Sequence, residues 1–571
     1  MRSDSPVRVF LVIVLAMTAI AFFPSLFNGF VNWDDPHYVT SNESIESLAP
    51  GNVGRIFTSG CEGATEFEGA YCPFVVLSFA IEYRLFKLDP FFYHLTNYTL
   101  HIAITALVFY FILFLSGNTI IAFVSAVLFG VHPLHVESVA WVTERKDLLY
   151  SLFYFAGLIV YILYLKRKKA SLYALTLALC LFSLFSKAMA VTFPLLLILI
   201  DYYFARKTTR RVIFEKVPFF FLAAVFAAVN LYFHRLSGPD RLLSDLTTRT
   251  YFLLKEIPFY LYKLFVPVRL SALYPYHEVT AAHIAEIKYY VLILGAITAA
   301  VALSRRSTKK VVFASAFFVA SALPILQVIP AGGAFAADRY MYVSSLGVFF
   351  VAAVLFEKLI SASFSRRNSV RILLAAIFSA AVILLTLITW NRCKVWKDSG
   401  TLFSDVVQKH TTVPEPYNNL GIYLEETGDD LGALDNFKKA LIVVPGYVKA
   451  QKNFKRVYTR LSGGSGAVSG IPGEIMKPGE PPAEVVWLNL RGVEASKSGD
   501  LEKGLTFFKK AVSIDPGHAE SLNNLGYAYY SSGNVDEARK AFVKTLEIDP
   551  GHKKARMNLK FLKQPSSKEG N

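Results

Sequence analysis

Four clusters of ionisable residues stand at the ends of long apolar runs, where each charge is costly enough to be read as functional. The first is Asn32-Trp33-Asp34-Asp35-Pro36-His37-Tyr38. Adjacent carboxylates raise one another's pKa or share a cation, so Asp34 and Asp35 are candidates for a base that takes a hydroxyl proton, or for ligands of a divalent metal. A solvated turn is the bland alternative. The second cluster holds His132, His135 and Glu137, followed by Glu144-Arg145-Lys146-Asp147. Here the imidazoles are candidate sugar or phosphate contacts, or else interfacial residues. Third is Lys187, alone between two apolar runs, and fourth is Asp338-Arg339-Tyr340-Met341-Tyr342. Arg145, Lys187 and Arg339, with Tyr340 beside the last, suit a phosphate, because a guanidinium grips two of its oxygens in parallel and an ammonium neutralises its charge.

The elements that must position these groups are membrane spans. Over 571 residues, 54% are hydrophobic and the mean hydropathy is +0.41, too apolar for one soluble globule. The apolar residues gather before Trp390, in about eleven runs of spanning character. These centre on 9–23, 91–115, 119–129, 148–165, 172–185, 191–204, 212–232, 289–303, 311–329, 341–360 and 372–390. Arg2 and Arg8 before the first run, with Ala19 and Ala21 in it, also fit a signal peptide, but the run continues to Phe23 and favours a retained span.

The net charge of +16 does not point to nucleic acid. Its Lys and Arg lie in short clusters at 166–169, 206–211, 305–310 and 366–371, which the positive-inside rule assigns to the cytoplasm together with the N-terminus. The loop 24–72, rich in Asp and Glu, then faces outward, as do all four ionisable clusters. One segment, 251–266, breaks the alternation and is expected to be an outward interfacial or re-entrant helix. The last span then ends outside, which in a bacterium is the periplasmic side of the inner membrane.

After residue 390 the sequence is soluble in character. Gly492 to Gly526, Phe508 to Phe542 and Pro516 to Pro550 are each separated by the tetratricopeptide period of about 34 residues. An earlier unit shows Leu420-Gly421, Ala433, Phe437, Ala440 and Pro445. The expected order is a membrane domain over 1–390, a connecting helix and first repeat block over 391–461, a Gly/Pro-rich linker over 462–484, a second block over 485–563 and a disordered tail over 564–571. Such arrays bind peptide segments in a concave face, or else act as spacers or dimerisation elements. Cys61 and Cys72 share the outward loop, either as a disulfide or as two lone thiols; no C-x-x-C pair suggests zinc.

The motifs NWDD, YCPF, DPFFYHLTN, GVHPLHVESVAW with ERKDLL, SKAMAVTFP, LYPY and ADRYMY, in this order and followed by repeats, resemble those of the transmembrane and tetratricopeptide-repeat containing O-mannosyltransferases and their bacterial relatives. That resemblance implies an all-α, GT-C-like polytopic membrane domain with a C-terminal α-solenoid. It further implies transfer of a sugar, mannose in the named family, from a polyprenyl-phosphate carrier to a hydroxyl of a protein or glycan acceptor on the outer face. The chain departs from the pattern at Tyr71-Cys72-Pro73, where an arginine is expected in place of the cysteine. Outside the cytoplasm no nucleotide sugar is available, and the absence of a Gly-rich nucleotide loop agrees with a lipid-borne donor. The competing class is a non-catalytic membrane scaffold or glycolipid-handling transporter whose repeats recruit envelope-assembly partners. A transporter should show interrupted spans in corresponding halves, and the sequence has no convincing internal symmetry.

Overall fold

A computed structural model describes residues 5–58, 71–236, 246–304, 309–326, 334–362, 368–461 and 483–562. Cys61, the Gly332-Gly333 loop, nearly all of the expected linker and the expected tail lie outside these residues. The chain divides into two compact units, 1–410 and 411–571. The division falls after His410, not at residue 390. The last apolar helix runs on to Val395, and the helix Ser399–Lys409 is tied into the first unit by an Arg392–Asp405 ion pair (2.8 Å) and by Lys409 donating to the Leu270 carbonyl.

Both units are helical. In the first, seven helices are long and apolar enough to cross a membrane among the described residues: Pro6–Phe27, Pro90–Ser116, Val142–Arg167, Arg210–Phe233, Ala281–Ser304, Ser345–Ala362 and Asn368–Val395. An eighth is counted if Thr119–Val131 and Pro133–Ala140, bent by 53°, form one broken span. The apolar runs at 172–185 and 191–204 fold as the shorter helices Ala170–Ser186 and Ala188–Tyr203. The segment 251–266 is a helix, Leu246–Phe265, with Pro258 inside it. A two-residue strand, Tyr274–Pro275, pairs antiparallel with Ala334–Ala336.

Breaks in the helices follow local chemistry. Gly117 takes a left-handed φ of +65°, and the Asn118 side chain accepts from the Ile120 and Ile121 N–H groups, so the chain turns sharply between Pro90–Ser116 and Thr119–Val131. At the other end of that second helix, Pro133 stops propagation and strands the last carbonyls. Each of three finds a side-chain donor: Phe129 from His135 Nδ1 (2.8 Å), Gly130 from His101 Nε2 (3.2 Å) and Val131 from Thr389 Oγ1 (2.7 Å). In a membrane interior such carbonyls have no water to fall back on.

The second unit is a repeat stack. Helix pairs Pro414–Glu426 with Asp430–Val443, Ala483–Lys497 with Leu501–Ile514, and Ala519–Ser531 with Val535–Ile548 repeat one design. Gly421, Gly492 and Gly526 each face a phenylalanine ring, of Phe437, Phe508 and Phe542, so closely that a Cβ would sit 2.4–2.7 Å from it. The two blocks share a core: Val486 lies in the buried cluster of Phe437, Phe454 and Tyr458, with Trp487 and Leu490 packed against it. An unfinished block would leave that apolar face in water, so the insertion at 462–482 does not separate the blocks.

Candidate functional site

The helix interruptions also deliver the charged side chains. Asp34 and Asp35 lie in the turn after the first span, which is pinned by backbone and side-chain bonds: Gly29 N–H to the Lys397 carbonyl (2.8 Å), Asn28 Nδ2 to the Cys393 carbonyl (3.1 Å) and Asn32 N–H to Ser399 Oγ (2.8 Å). Trp33 packs on Trp141, which stacks on Trp396. Glu137 belongs to the short helix Val136–Ala140, Glu144 to the 3-10 turn Val142–Glu144, and Lys146 and Asp147 to the first turn of Arg145–Arg167. Lys187 stands in the gap between Ala170–Ser186 and Ala188–Thr192, and Arg339 in the 3-10 turn Asp338–Met341.

Three cations converge on one carboxylate. Lys146 Nζ and Arg339 Nε each lie 3.4 Å from Glu144 Oε1, and Lys187 Nζ lies 3.1 Å from Oε2. Each has a second partner: Asp34 at 3.7 Å for Lys146, Asp147 at 2.8 Å for Lys187, and Glu137 for Arg339, which also receives the Arg339 backbone N–H at 3.0 Å. Exposure separates the signs. Side-chain exposure is 26% for Asp34, 20% for Arg339, 15% for Lys187 and 10% for Lys146, against 3% or less for Glu144, Glu137 and Asp147. The reachable surface is therefore cationic with one carboxylate at its edge, and the buried acids behind it hold the cations in place. Lys146 Nζ lies 4.5 Å from the Tyr38 ring centre, and the Arg339 guanidinium lies over Tyr340 (5.1 Å) and Trp141 (5.5 Å). A phosphate oxyanion entering here would meet three donors fixed in advance.

The remaining expectations are placed elsewhere. Asp35 is buried: one carboxylate oxygen accepts from Val31 N–H (2.8 Å), the other from the N–H (3.2 Å) and hydroxyl of Thr143. Burial pushes its carboxyl up to about 6, against the lowering effect of these bonds. The adjacent carboxylates thus serve different neighbours and do not form one shared cation site, and among the described residues no group of three or more His, Cys, Asp or Glu could hold a metal ion. Arg145 turns away from its neighbour Lys146 and is fully enclosed. It pairs with Glu82, donates to Asn97 Oδ1 (2.8 Å) and the Tyr93 carbonyl (2.9 Å), and covers the Phe79 ring. His132 donates Nε2–H to the Leu264 carbonyl (3.0 Å) and accepts from Leu134 N–H; His135 bonds to Phe129 and Ser345. Both histidines are buried and have both ring nitrogens engaged, so neither faces a sugar. Asp338 does not pair with Arg339; it accepts from the Tyr274 hydroxyl (2.8 Å), and burial, with Glu137 near, pushes its carboxyl up.

Lys146, Glu144, Asp147 and Tyr38 are members that the sequence placed in its clusters without giving them a role. Their signal is helical phase: successive residues of a helix point about 100° apart, so Arg145 and Lys146 cannot face one site. Glu82, an acid inside an apolar helix, demands a buried cation, and Arg145 answers it.

Comparison with known proteins agrees with the motifs. Residues 488–518 and 519–552 match the tetratricopeptide repeat family. A protein O-mannosyl-transferase of Caenorhabditis elegans is 27% identical over 468 residues, 76% of this chain and 63% of that protein. A human protein O-mannosyl-transferase is 22% identical over 574 residues, 90% of this chain and 61% of that protein. A mouse relative of the same description is 32% identical over 155 residues, 26% of this chain. The chain thus spans less than two thirds of the length of the first two relatives. The resemblance drawn from NWDD through ADRYMY is borne out: this is a tetratricopeptide-repeat chain similar to protein O-mannosyl-transferases along most of its length.

Proposed function

We propose that this protein is a membrane glycosyltransferase that moves a sugar, mannose by its relatives' description, from a polyprenyl-phosphate carrier to a hydroxyl acceptor of a protein or glycan. The observation that carries this reading is the convergence of Lys146, Lys187 and Arg339 on buried Glu144, with Asp34 reachable beside them. The acceptor oxygen attacks the anomeric carbon as its proton passes to the Asp34 carboxylate, and the bond from that carbon to the phosphate oxygen breaks. The electron pair leaves on the phosphate, whose growing charge the three cations meet. Attack opposite the leaving group inverts the anomeric carbon. Asp35 positions its neighbour by bridging the loop to Thr143. Acceptor segments are recruited by the tetratricopeptide array.

The test is turnover of a polyprenyl-phosphate sugar by purified Asp34→Asn protein. Asn keeps the shape but cannot take the proton, so the rate should fall by about a hundred- to ten-thousand-fold while membrane insertion and donor binding persist. Near wild-type turnover would remove Asp34 from the mechanism, and absence of any donor hydrolysis or transfer by the wild type would favour the scaffold.

Charge alternation supports an N-terminus in the cytoplasm and repeats on the opposite face, which in a bacterium is the periplasm. Cysteine introduced at exposed Ser531 should react with an impermeant thiol reagent in intact cells. Labelling only after lysis would reverse the orientation and move the reaction to the cytoplasmic side.

A further inference from the structure

The helix Phe193–Tyr203 ends in a second charged region, about 21 Å along Arg145–Arg167 from Asp147, since Tyr161 of that helix donates to Asp201 (2.7 Å). Here two acids are already matched. Asp201 lies 2.7 Å from Lys216 Nζ and 3.5 Å from Arg206; Glu215 lies 2.7 Å from the other arm of Arg206 and accepts from the Tyr164 hydroxyl. Lys309 lies outside this balance. It enters no ion pair among the described residues, and its ammonium stands 6.0 Å from the Tyr202 ring centre. Lys207 and Arg210 add further positive charge nearby in the chain.

Between these groups lies a groove of about 880 Å³, within the roughly 300–1,000 Å³ of small-molecule sites. Its charged lining is Arg206, Lys216 and Lys309 with the single acid Asp201, and its apolar lining includes Ile198, Phe220 and Phe221. The three apolar side chains are exposed, as lipid-facing residues of a membrane helix are. The basic runs 206–211 and 305–310 mark this end as cytoplasmic.

We infer that this groove seats one anionic glycerophospholipid of the cytoplasmic leaflet, with its phosphate against Lys309 and its chains along Ile198, Phe220 and Phe221. Charge complementarity selects this occupant. Any gap in a lipid-facing wall fills with hydrocarbon, but a surplus cation at headgroup depth favours a headgroup of net negative charge, by about fivefold. A zwitterionic lipid brings its own ammonium against Lys309 and loses that preference.

The test uses the full-length protein in detergent, with native mass spectrometry after addition of phosphatidylglycerol or phosphatidylcholine of matched chains. Phosphatidylglycerol should be retained in preference, and Lys309→Glu should lower that preference by about tenfold or more, as reversal removes one attraction and adds a repulsion. Lys358→Glu, an exposed cation outside the groove, should leave it unchanged. Soluble glycerol 3-phosphate in excess should not displace the lipid, because it has no chains for the apolar wall. Equal retention of both lipids, equal effects of the two lysine variants, or full displacement by glycerol 3-phosphate would each overturn the assignment, the last in favour of a free phosphate.

Discussion

Arg145 and Arg339 are both paired to buried carboxylates, yet they differ in what their surroundings leave open. Arg145 is enclosed on every side, with Glu82, Asn97 and the Tyr93 carbonyl spending its donors and Phe79 against its face. Arg339 keeps a fifth of its side chain reachable and shares Glu144 with two lysines that are also partly exposed. The difference teaches that pairing alone does not identify a functional arginine near a membrane. What separates the two is whether the pairing leaves donors facing outward. A charge buried for architecture has all its needs met, while one held for a ligand is anchored from behind and open in front.

Removing the enclosed member should have the largest effect. Arg145→Met strands the Glu82 carboxylate, and loss of one member of a buried pair costs about 3–5 kcal/mol. The midpoint of unfolding in detergent should drop accordingly, and adding Glu82→Leu should restore most of it. If Arg145→Met folds normally but loses donor use, the enclosed arginine belongs to the reaction and the comparison fails. Arg339→Lys comes next, and its effect should fall on turnover. An ammonium cannot keep both Glu137 and Glu144 while presenting a flat pair of N–H groups, so kcat/KM should fall by about ten- to a hundredfold or more, near the range for loss of one preorganised donor. A fall in melting temperature smaller than that of Arg145→Met is expected beside it, because the ammonium still pairs one of the two buried acids and Glu144 keeps its two lysines. Near-normal kinetics would make Arg339 a mere interfacial cation.

The smallest effect is expected at Asp35. In Asp35→Asn the amide cannot serve both sides, and one buried N–H, of Val31 or Thr143, loses its acceptor at a cost of about 1–3 kcal/mol. Because the folded carboxyl sits near 6 instead of 3.8, its contribution to stability is fully present below 3.8 and is lost as pH rises through 6. The stability gap between wild type and Asp35→Asn should therefore narrow between pH 4 and pH 7. A gap that widens over that range would show that the carboxylate, and not the acid, is the form the fold prefers.

Much of this was legible in the residues. The repeats announce themselves by Gly526 facing Phe542 at a fixed offset. Asp34, Lys187 and Arg339 are ionisable groups beside apolar runs, and the structure brings all three to one cluster. That Arg145 is enclosed while Lys146 reaches the cluster was not legible, for a physical reason: a helix apolar on all sides gives no phase by which to tell which of two adjacent cations turns inward. His132 and His135 looked like ligands because polar groups in apolar surroundings must bind something. Their actual partners are backbone carbonyls at helix ends: His135 meets that of Phe129, freed at Pro133, and His132 that of Leu264, at the end of Leu246–Phe265. A break of the same kind splits the segment around the apolar run 191–204 into a 3-10 turn, Ala188–Thr192, and a helix of 11 residues, since composition registers apolarity and not continuity. The boundary at 390 was misjudged where apolarity stops but packing does not.

The broken helix also bears on how the chain is made. Two of its stranded carbonyls are served by His101 and His135, which leave the ribosome close to them in time. The third, on Val131, waits for Thr389, 258 residues later. During synthesis this bend must therefore enter the membrane with one bond still to be supplied, shielded by the translocation machinery or by water held near the surface. Only when the last apolar helix arrives does the native donor reach it. Biogenesis of this unit thus closes a contact between one of its early helices and its last apolar one, and any truncation upstream of Thr389 would leave the Val131 carbonyl without its native donor.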